Sequence, residues 1–120
     1  MTLTKKADRV LPVRAFIACL RSNGMEIVNL GDFRKWKELR DGSRLSVKLT
    51  LYRASASNGK AAYFFSDSLD RIACAVNPNL EEMTAFLRDH GYKSDHDFYV
   101  EDYGMTEESY REWNSASELN

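Results

Sequence analysis

The chain has 120 residues, of which 43% are hydrophobic, 12% aromatic and 29% charged, and its formal net charge is -1. This is the composition of one globular domain, which excludes wholesale disorder. No apolar run approaches the roughly 20 residues needed to cross a bilayer, so no membrane segment is expected. The small net charge hides a division, because residues 1–60 carry a net charge of +8 and residues 61–120 a net charge of -9.

The first predicted element is a helix over residues 12–22. Its apolar side chains recur at the spacing of one helical face: Val13, Phe16, Ile17 and Leu20. A short strand is expected over residues 25–30. A second, shorter helix is predicted at 33–40, because Asp32 suits its N-terminal capping position and Gly42 suits its closing position.

A β-hairpin is predicted next in the chain. Residues 45–52 alternate between apolar and polar side chains, which is typical of a half-buried strand, and residues 61–65 supply its partner. An Asn-Gly pair between them is a turn signal. An odd number of loop residues places Phe65 on the face of Leu51 and buries more apolar surface there. The sequence therefore predicts a loop of three or five residues.

The segment 66–76 leaves two interpretations open. Its capping residues and apolar spacing favour a helix slightly. Residues 71–76 also fit a third strand, with a turn before it. Pro78 ends the element in either case, because proline cannot continue a helix or a central strand.

The C-terminal elements are predicted from their caps and spacing. Asn79 is expected to cap a strong helix over residues 80–90. Residues 98–100, Phe-Tyr-Val, read as a short strand. Thr106 is expected to start a last helix that ends near residue 113.

These elements predict an α+β fold in a single domain. An antiparallel β-hairpin or small sheet would pack against several helices. The domain is expected over residues 9–114, with flexible tails at 1–8 and 115–120. The oligomeric state is not indicated by any pattern in the sequence.

Catalytic chemistry is poorly supported by the sequence. Cys19 and Cys74 lie among apolar neighbours, which predicts two buried, reduced thiols and a cytoplasmic location. His90 is expected at a helix end and His96 on a solvated acidic surface, at a spacing that matches no standard zinc site. We therefore expect neither an enzyme nor a bound cofactor or metal.

The first candidate binding surface is acidic and aromatic, and lies near the C-terminus. Carboxylates crowded together repel one another unless a partner or neighbour offsets them, and aromatic side chains beside them can anchor an interface. Such a surface suits a protein with a basic nucleic-acid-binding cleft. The candidate protein-binding residues are Asp95, Asp97, Glu101, Asp102, Tyr103, Glu107, Glu108 and Tyr110.

Two stretches of this segment resemble a known family. Residues 97–105 read Asp-Phe-Tyr-Val-Glu-Asp-Tyr-Gly-Met, and residues 107–113 read Glu-Glu-Ser-Tyr-Arg-Glu-Trp. This pattern of acidic and aromatic residues resembles the ArdA-type anti-restriction proteins, which mimic DNA and block restriction complexes without catalysis. The resemblance covers about a quarter of the chain, and the basic first half departs from the family's overall acidity. It implies a small inhibitor of the kind carried by phages or plasmids.

The alternative binding surface is basic and suits DNA or RNA directly. Cationic side chains supply the sequence-independent part of nucleic-acid affinity, and a helix followed by a hairpin could meet phosphates as a winged module does. The candidate residues are Arg34, Lys35, Lys37, Arg40, Arg44 and Lys48. Both binding hypotheses compete with a simpler one, in which the basic and acidic halves neutralise each other within the fold.

Overall fold

The computed structural model describes residues 12–73 and 76–119. They form an α+β domain in which a four-stranded antiparallel sheet is combined with four helices. The strands are β1 (Glu26–Glu38), β2 (Arg44–Ser55), β3 (Ala61–Ser66) and β4 (Lys93–Ser94). The helices are α1 (Val13–Ser22), α2 (Leu80–Asp89), α3 (Asp95–Asp97) and α4 (Glu107–Leu119), and a π-helix, Phe98–Asp102, follows α3 directly.

The sheet has the strand order β3-β2-β1-β4. β1 and β2 pair along their whole length, whereas β3 joins β2 only from Thr50 onward and β4 joins β1 only at Phe33 and Arg34. Residues 35–48 therefore extend beyond both outer strands as a two-stranded ribbon, which we call the distal ribbon. It brings the basic part of the sequence to one end of the sheet.

Each face of the sheet has its own hydrophobic cluster. On one face Leu51 and Phe65 pack against Met83 and Leu87 of α2. On the other face α1 packs against a cluster that includes Phe64, and the ring of Phe16 meets that of Phe64 edge-on at 4.9 Å. The amphipathic pattern predicted for residues 12–22 is therefore confirmed, because its apolar side is the one that faces the sheet.

The hairpin register predicted from the sequence is confirmed. Leu51 lies opposite Phe65, and the last pair before the turn is Ser55 with Ala61. Five residues, 56–60, thus form the loop, and an odd loop places Leu51 and Phe65 on one face. The helix predicted over 80–90 is also confirmed, and the side chain of Asn79 caps it by accepting from the backbone N–H of Glu82.

The helix predicted at 33–40 is wrong, because this segment is the second half of β1. Phe33 and Trp36 are three residues apart, which suits one face of a helix but sends strand side chains to opposite faces. Phe33 packs with the cluster under α2, and Trp36 packs against Phe98 on the other side. Both faces of β1 are thus partly covered around residues 33–36, so this part of its sequence lacks the alternation that identifies a half-exposed strand.

The slight preference for a helix over residues 66–76 is also wrong for the described part. The Asp67 carboxylate accepts hydrogen bonds from the backbone N–H groups of Leu69 and Arg71, and Asp70 adopts a left-handed conformation with φ 58°. These features turn the chain back toward β3, where Ile72 bridges to Ser66. Residues 74 and 75 of the alternative strand lie outside the described residues.

The strand predicted at 98–100 is a π-helix. The Ser94 hydroxyl accepts from the backbone N–H of Asp97 and starts the helical turn, and the Tyr103 N–H donates to the Phe98 carbonyl five residues earlier. The aromatic and β-branched residues that suggested a strand are overridden by tertiary packing, since Phe98 is completely buried.

The ends of the chain and the thiols also differ from expectation. The last helix starts after Thr106, as predicted, but runs to Leu119 through most of the expected tail 115–120. The expected tail at 1–8 lies outside the described residues. Cys19 is exposed on α1 rather than buried, and Cys74 is not described. Over the described ranges, every helix is too short or too polar to span a membrane.

Candidate functional site

The acidic segment folds as a unit against the sheet. We call residues 93–113 the C-terminal module: β4, α3, the π-helix and the first half of α4. Its anchor is Phe98, whose ring lies 5.2 Å from that of Trp36 on β1. Seven of its residues are acidic and two are basic, which gives the module a formal charge of -5.

A partly buried ion pair joins the basic and the acidic parts of the chain. The Arg34 Nε donates to Asp95 Oδ1 at 2.7 Å, and both side chains are only about a fifth exposed, 20% and 22%. The Tyr110 hydroxyl donates to the other oxygen of Asp95 at 3.1 Å, and the Arg34 guanidinium lies 5.3 Å from the centre of the Tyr99 ring. Arg34 and Asp95 were candidates for opposite binding sites. Each instead neutralises the other, so neither offers its charge to a partner.

The environment of Tyr110 stabilises the neutral phenol. Burial and the adjacent Asp95 carboxylate raise the pKa of Tyr110 to about 12. Ionising this phenol would place a second negative charge beside Asp95, which is unfavourable at such short range. Tyr110 therefore acts as a donor inside the module, where its hydrogen bond to Asp95 links α4 to α3.

Lys93 offsets two further carboxylates of the module. Its ammonium lies 3.1 Å from Glu101 Oε1 and 2.8 Å from Asp102 Oδ1. Hydrogen bonds to Asp102 and then Glu101 raise the pKa of Lys93. One ammonium balances only one of the two negative charges, so this corner of the module remains acidic.

His96 links α3 to the start of α4. Its Nδ1 lies 2.9 Å from Asp97 Oδ1, and its Nε2 lies 2.8 Å from Glu107 Oε2. Hydrogen bonding to Glu107 and then to Asp97 raises the pKa of His96, because both carboxylates favour the imidazolium. The sequence placed His96 on a solvated surface. The structure confirms that His96 is at an acidic surface, and adds that it links α3 to α4 as a clamp.

The module also carries groups that point to solvent without an internal partner. Glu108 and Glu112 are exposed on α4 and make no hydrogen bond or ion pair with a described side chain. Tyr103 is 59% exposed and Trp113 is 40% exposed. Of the eight predicted protein-binding residues, Tyr103 and Glu108 are thus the most available. Asp97, Glu101, Asp102 and Glu107 are at the surface but share their charge with Lys93 or His96.

An aromatic cleft of about 280 Å³ opens between the module and β1. The rings of Trp36 and Tyr103 are nearly parallel, 17° apart, with their centres separated by 6.1 Å. Tyr99 contacts Tyr103 and Trp113, with ring centres 5.6 Å and 5.0 Å apart. Met105 and Ser46 complete the lining. The sequence does not predict this cleft, because the spacing around Trp36 indicates a helix rather than the strand that carries it.

The six predicted nucleic-acid-binding residues do not form one surface. Strand alternation places Arg34, Arg44 and Lys48 on one face of the ribbon, and Lys35 and Lys37 on the other. Arg40 lies at the tip.

Several of these side chains already make contacts within the protein. The Lys35 ammonium donates to the His90 carbonyl at 3.0 Å and lies 4.7 Å from the Tyr92 ring centre. The Arg44 guanidinium lies 4.6 Å from the centre of the Trp36 ring. Lys37 and Arg40 are exposed at the end of the distal ribbon. A winged arrangement is excluded, because its helix does not exist.

Within the described ranges, no three His, Cys, Asp or Glu side chains converge in a way that could hold a metal ion. In comparisons with known proteins, no family model, no curated protein and no solved structure matches this chain.

Proposed function

We propose that this protein is a non-enzymatic inhibitor or regulator that binds the basic cleft of a nucleic-acid-processing protein through its C-terminal module. One observation carries the proposal: carboxylates without an ion pair to any described side chain occur together with exposed aromatic rings on this module. Glu108 and Glu112 supply the charge, and Tyr103 and Trp113 supply the apolar contact area.

The charge that remains after internal pairing supports a basic partner. The module's formal charge of -5 is reduced by one when Arg34 pairs with Asp95, and its own lysine and arginine are already counted in that value. A net negative surface of this kind attracts a positive cleft at long range and repels nucleic acid. The protein would therefore compete with nucleic acid rather than join it.

The exposed rings support a specific interface rather than loose charge attraction. Tyrosine and tryptophan are enriched among the residues that dominate binding energy, because they bury large rigid surfaces. Tyr103 and Trp113 contact Tyr99, so they are held by ring packing before any partner arrives. Preorganised anchors lose little conformational entropy on binding. The similarity to ArdA-type proteins at residues 97–113 makes restriction complexes the first class of partner to test.

The direct test is to replace Glu108 and Glu112 by lysine. The full chain is immobilised, proteins from a host-cell lysate are bound, and those displaced by duplex DNA are identified. We expect the wild-type chain to retain a DNA-displaceable protein, and the E108K/E112K variant to lose it, because the reversed charges would repel a basic cleft.

A matched control reverses two exposed carboxylates elsewhere. The E26K/D89K variant changes the net charge by the same amount, but at the start of β1 and the end of α2. It should retain the same protein as wild type. Equal losses in both variants would show that only net charge matters, and retention by E108K/E112K would exclude the module as the binding surface.

Direct binding of DNA or RNA by the distal ribbon is the second candidate. Lys37 and Arg40 are exposed near its tip, so two cations are available to phosphates, and Arg44, on the other face from Lys37, would first have to leave the Trp36 ring. Glu38 and Asp41 dilute their charge. A gel shift over a range of salt concentrations tests this candidate. Absence of a shift at low salt would exclude it, because phosphate contacts are strongest there.

A further inference from the structure

We infer that the aromatic cleft receives a cationic side chain, an arginine or lysine, from the partner protein. This inference rests on the proposed function and specifies its central contact. The cleft is lined by the rings of Trp36, Tyr99, Tyr103 and Trp113. Ring faces carry partial negative charge, so a cluster of them attracts a cation that enters with part of its water removed.

The geometry of the rings fits this role. Tyr99 is inclined by 66° to Tyr103 and by 56° to Trp113, so the walls of the cleft are not parallel. Trp36 and Tyr103, in contrast, are nearly parallel. Tyr103 and Trp113 are 59% and 40% exposed, so they leave ring surface open to a cation that approaches from solvent. Met105 adds a polarizable sulfur to the same lining.

The chain already places its own guanidinium groups on these rings. Arg44 lies 4.6 Å from the centre of Trp36, and Arg34 lies 5.3 Å from the centre of Tyr99. Both distances are within the range of about 6 Å in which cation–π attraction is significant. These two internal contacts indicate the chemistry of the external ligand, because a ring that holds one guanidinium can hold another.

The two internal arginines differ in how firmly they are held. Arg34 is mostly buried and is neutralised by Asp95, so it adds no net charge that would repel an incoming cation. Arg44 is exposed on the distal ribbon and forms no ion pair with a described side chain. Its described side-chain contact is with Trp36. Arg44 is therefore an internal competitor, which a partner's cation displaces from the indole.

The surrounding charge favours a cation over an anionic or neutral ligand. The module around the cleft keeps an excess of negative charge, and Glu108 and Glu112 belong to the same helix as Trp113. An arginine in a basic cleft would thus be attracted first by the carboxylates and then by the rings. The carboxylates of the module would repel a phosphate or another acidic group, and Arg44, on the sheet side of the cleft, is the cation that opposes them.

The test is a titration of the full chain with methylguanidinium. Binding is monitored by the NMR signals of the two tryptophan indoles, Trp36 and Trp113. Methylurea is the neutral control, because it has nearly the same shape but no charge. We expect methylguanidinium to shift both indole signals and to bind about fivefold more tightly than methylurea. The concentrations stay far below those that denature proteins.

Two exposed arginines give a matched pair of variants. R44A removes the internal competitor from Trp36, whereas R40A removes the same charge at the ribbon tip. We expect R44A to bind methylguanidinium about threefold more tightly than wild type and more tightly than R40A. Equal affinities of R44A and R40A, or equal binding of methylguanidinium and methylurea, would overturn the inference.

The methylguanidinium titration and the E108K/E112K binding experiment together distinguish a failure of this inference from a failure of the proposed function. If the cleft ignores methylguanidinium while E108K/E112K still loses the DNA-displaceable protein, the surface binds a partner without a cation in the cleft. If methylguanidinium binds but no such protein is retained by wild type, the cleft is confirmed and the proposed function is wrong.

Discussion

At the scale of single residues, the charges that the site can offer a partner depend on which charged side chains are already paired within the protein. Asp95 accepts from both Arg34 and Tyr110, and all three side chains lie at the contact between the module and β1. A sequence cannot reveal such a pairing, because Arg34 and Asp95 are 61 residues apart. The prediction that Asp95 and Tyr110 face a partner remains without support, since the structure gives them internal roles.

The Asp95 network is expected to stabilise the whole module. In the D95A variant, the mostly buried Arg34 loses its counter-ion and the Tyr110 hydroxyl loses its acceptor. We expect the free energy of unfolding to fall by about 1–3 kcal/mol, measured by urea denaturation. The exposed Asp89 on α2 is the control, and D89A should change stability by less than about 0.5 kcal/mol. Equal effects of the two variants would contradict the network.

His96 is expected to make the stability of the module depend on pH. Its pKa is raised in the folded protein above its ordinary value of 6.5, so its contribution is fully present below pH 6.5. The contribution is lost as the pH rises through the folded pKa, when the imidazolium deprotonates and its attraction to Glu107 and Asp97 weakens. The difference in melting temperature between wild type and H96Q should therefore be largest between about pH 5 and 6.5.

The first partner of the imidazolium provides the comparison. Glu107 accepts from His96 Nε2 and is the largest cause of the raised His96 pKa. In an E107Q background, the melting-temperature difference caused by H96Q should depend less on pH than it does in wild type. A difference for H96Q that is constant across the pH range would mean that the clamp does not depend on charge.

At the scale of elements, the sequence predicted helix or strand correctly where one face of the element is apolar and the other is polar. The hairpin strand 45–52 and the helix over 80–90 each have an apolar face and an exposed face. The spacing of apolar residues in the sequence therefore distinguished the strand from the helix. β1 is partly covered on both faces around residues 33–36, and residues 98–100 form a π-helix that buries Phe98 instead of the predicted strand. The helix predicted at 33–40 and the strand predicted at 98–100 were both wrong because tertiary contacts outweighed the local sequence pattern.

The packing of α2 gives a test of the sheet's main core. Leu87 is only 3% exposed and belongs to the cluster with Leu51 and Phe65. We expect L87A to lower the free energy of unfolding by about 2–5 kcal/mol, because it removes buried methyl groups and leaves a cavity. Leu80 on the same helix is 39% exposed, so L80A should cost much less. Similar costs in the two variants would contradict this orientation of α2.

At the scale of the whole molecule, the net charge of -1 is the sum of two groups of opposite sign that the fold joins only in part. Among the described residues, the ion pair of Arg34 with Asp95 joins the two groups, but Lys37 and Arg40 remain exposed on the distal ribbon and Glu108 and Glu112 on α4. The α+β class was predictable from the element order. The aromatic cleft was not, because its rings come from β1, the π-helix and α4, which only the fold brings together.

The most direct test of the account is an NMR titration of the full chain with a short arginine-rich peptide and, separately, with a short DNA duplex. The account predicts that the peptide shifts the backbone signals of residues 101–113 and the indole signal of Trp36, while the duplex leaves them unchanged. Shifts by the duplex centred on Lys37, Arg40 and Arg44, with no effect of the peptide on residues 101–113, would contradict it and identify the distal ribbon as the binding surface.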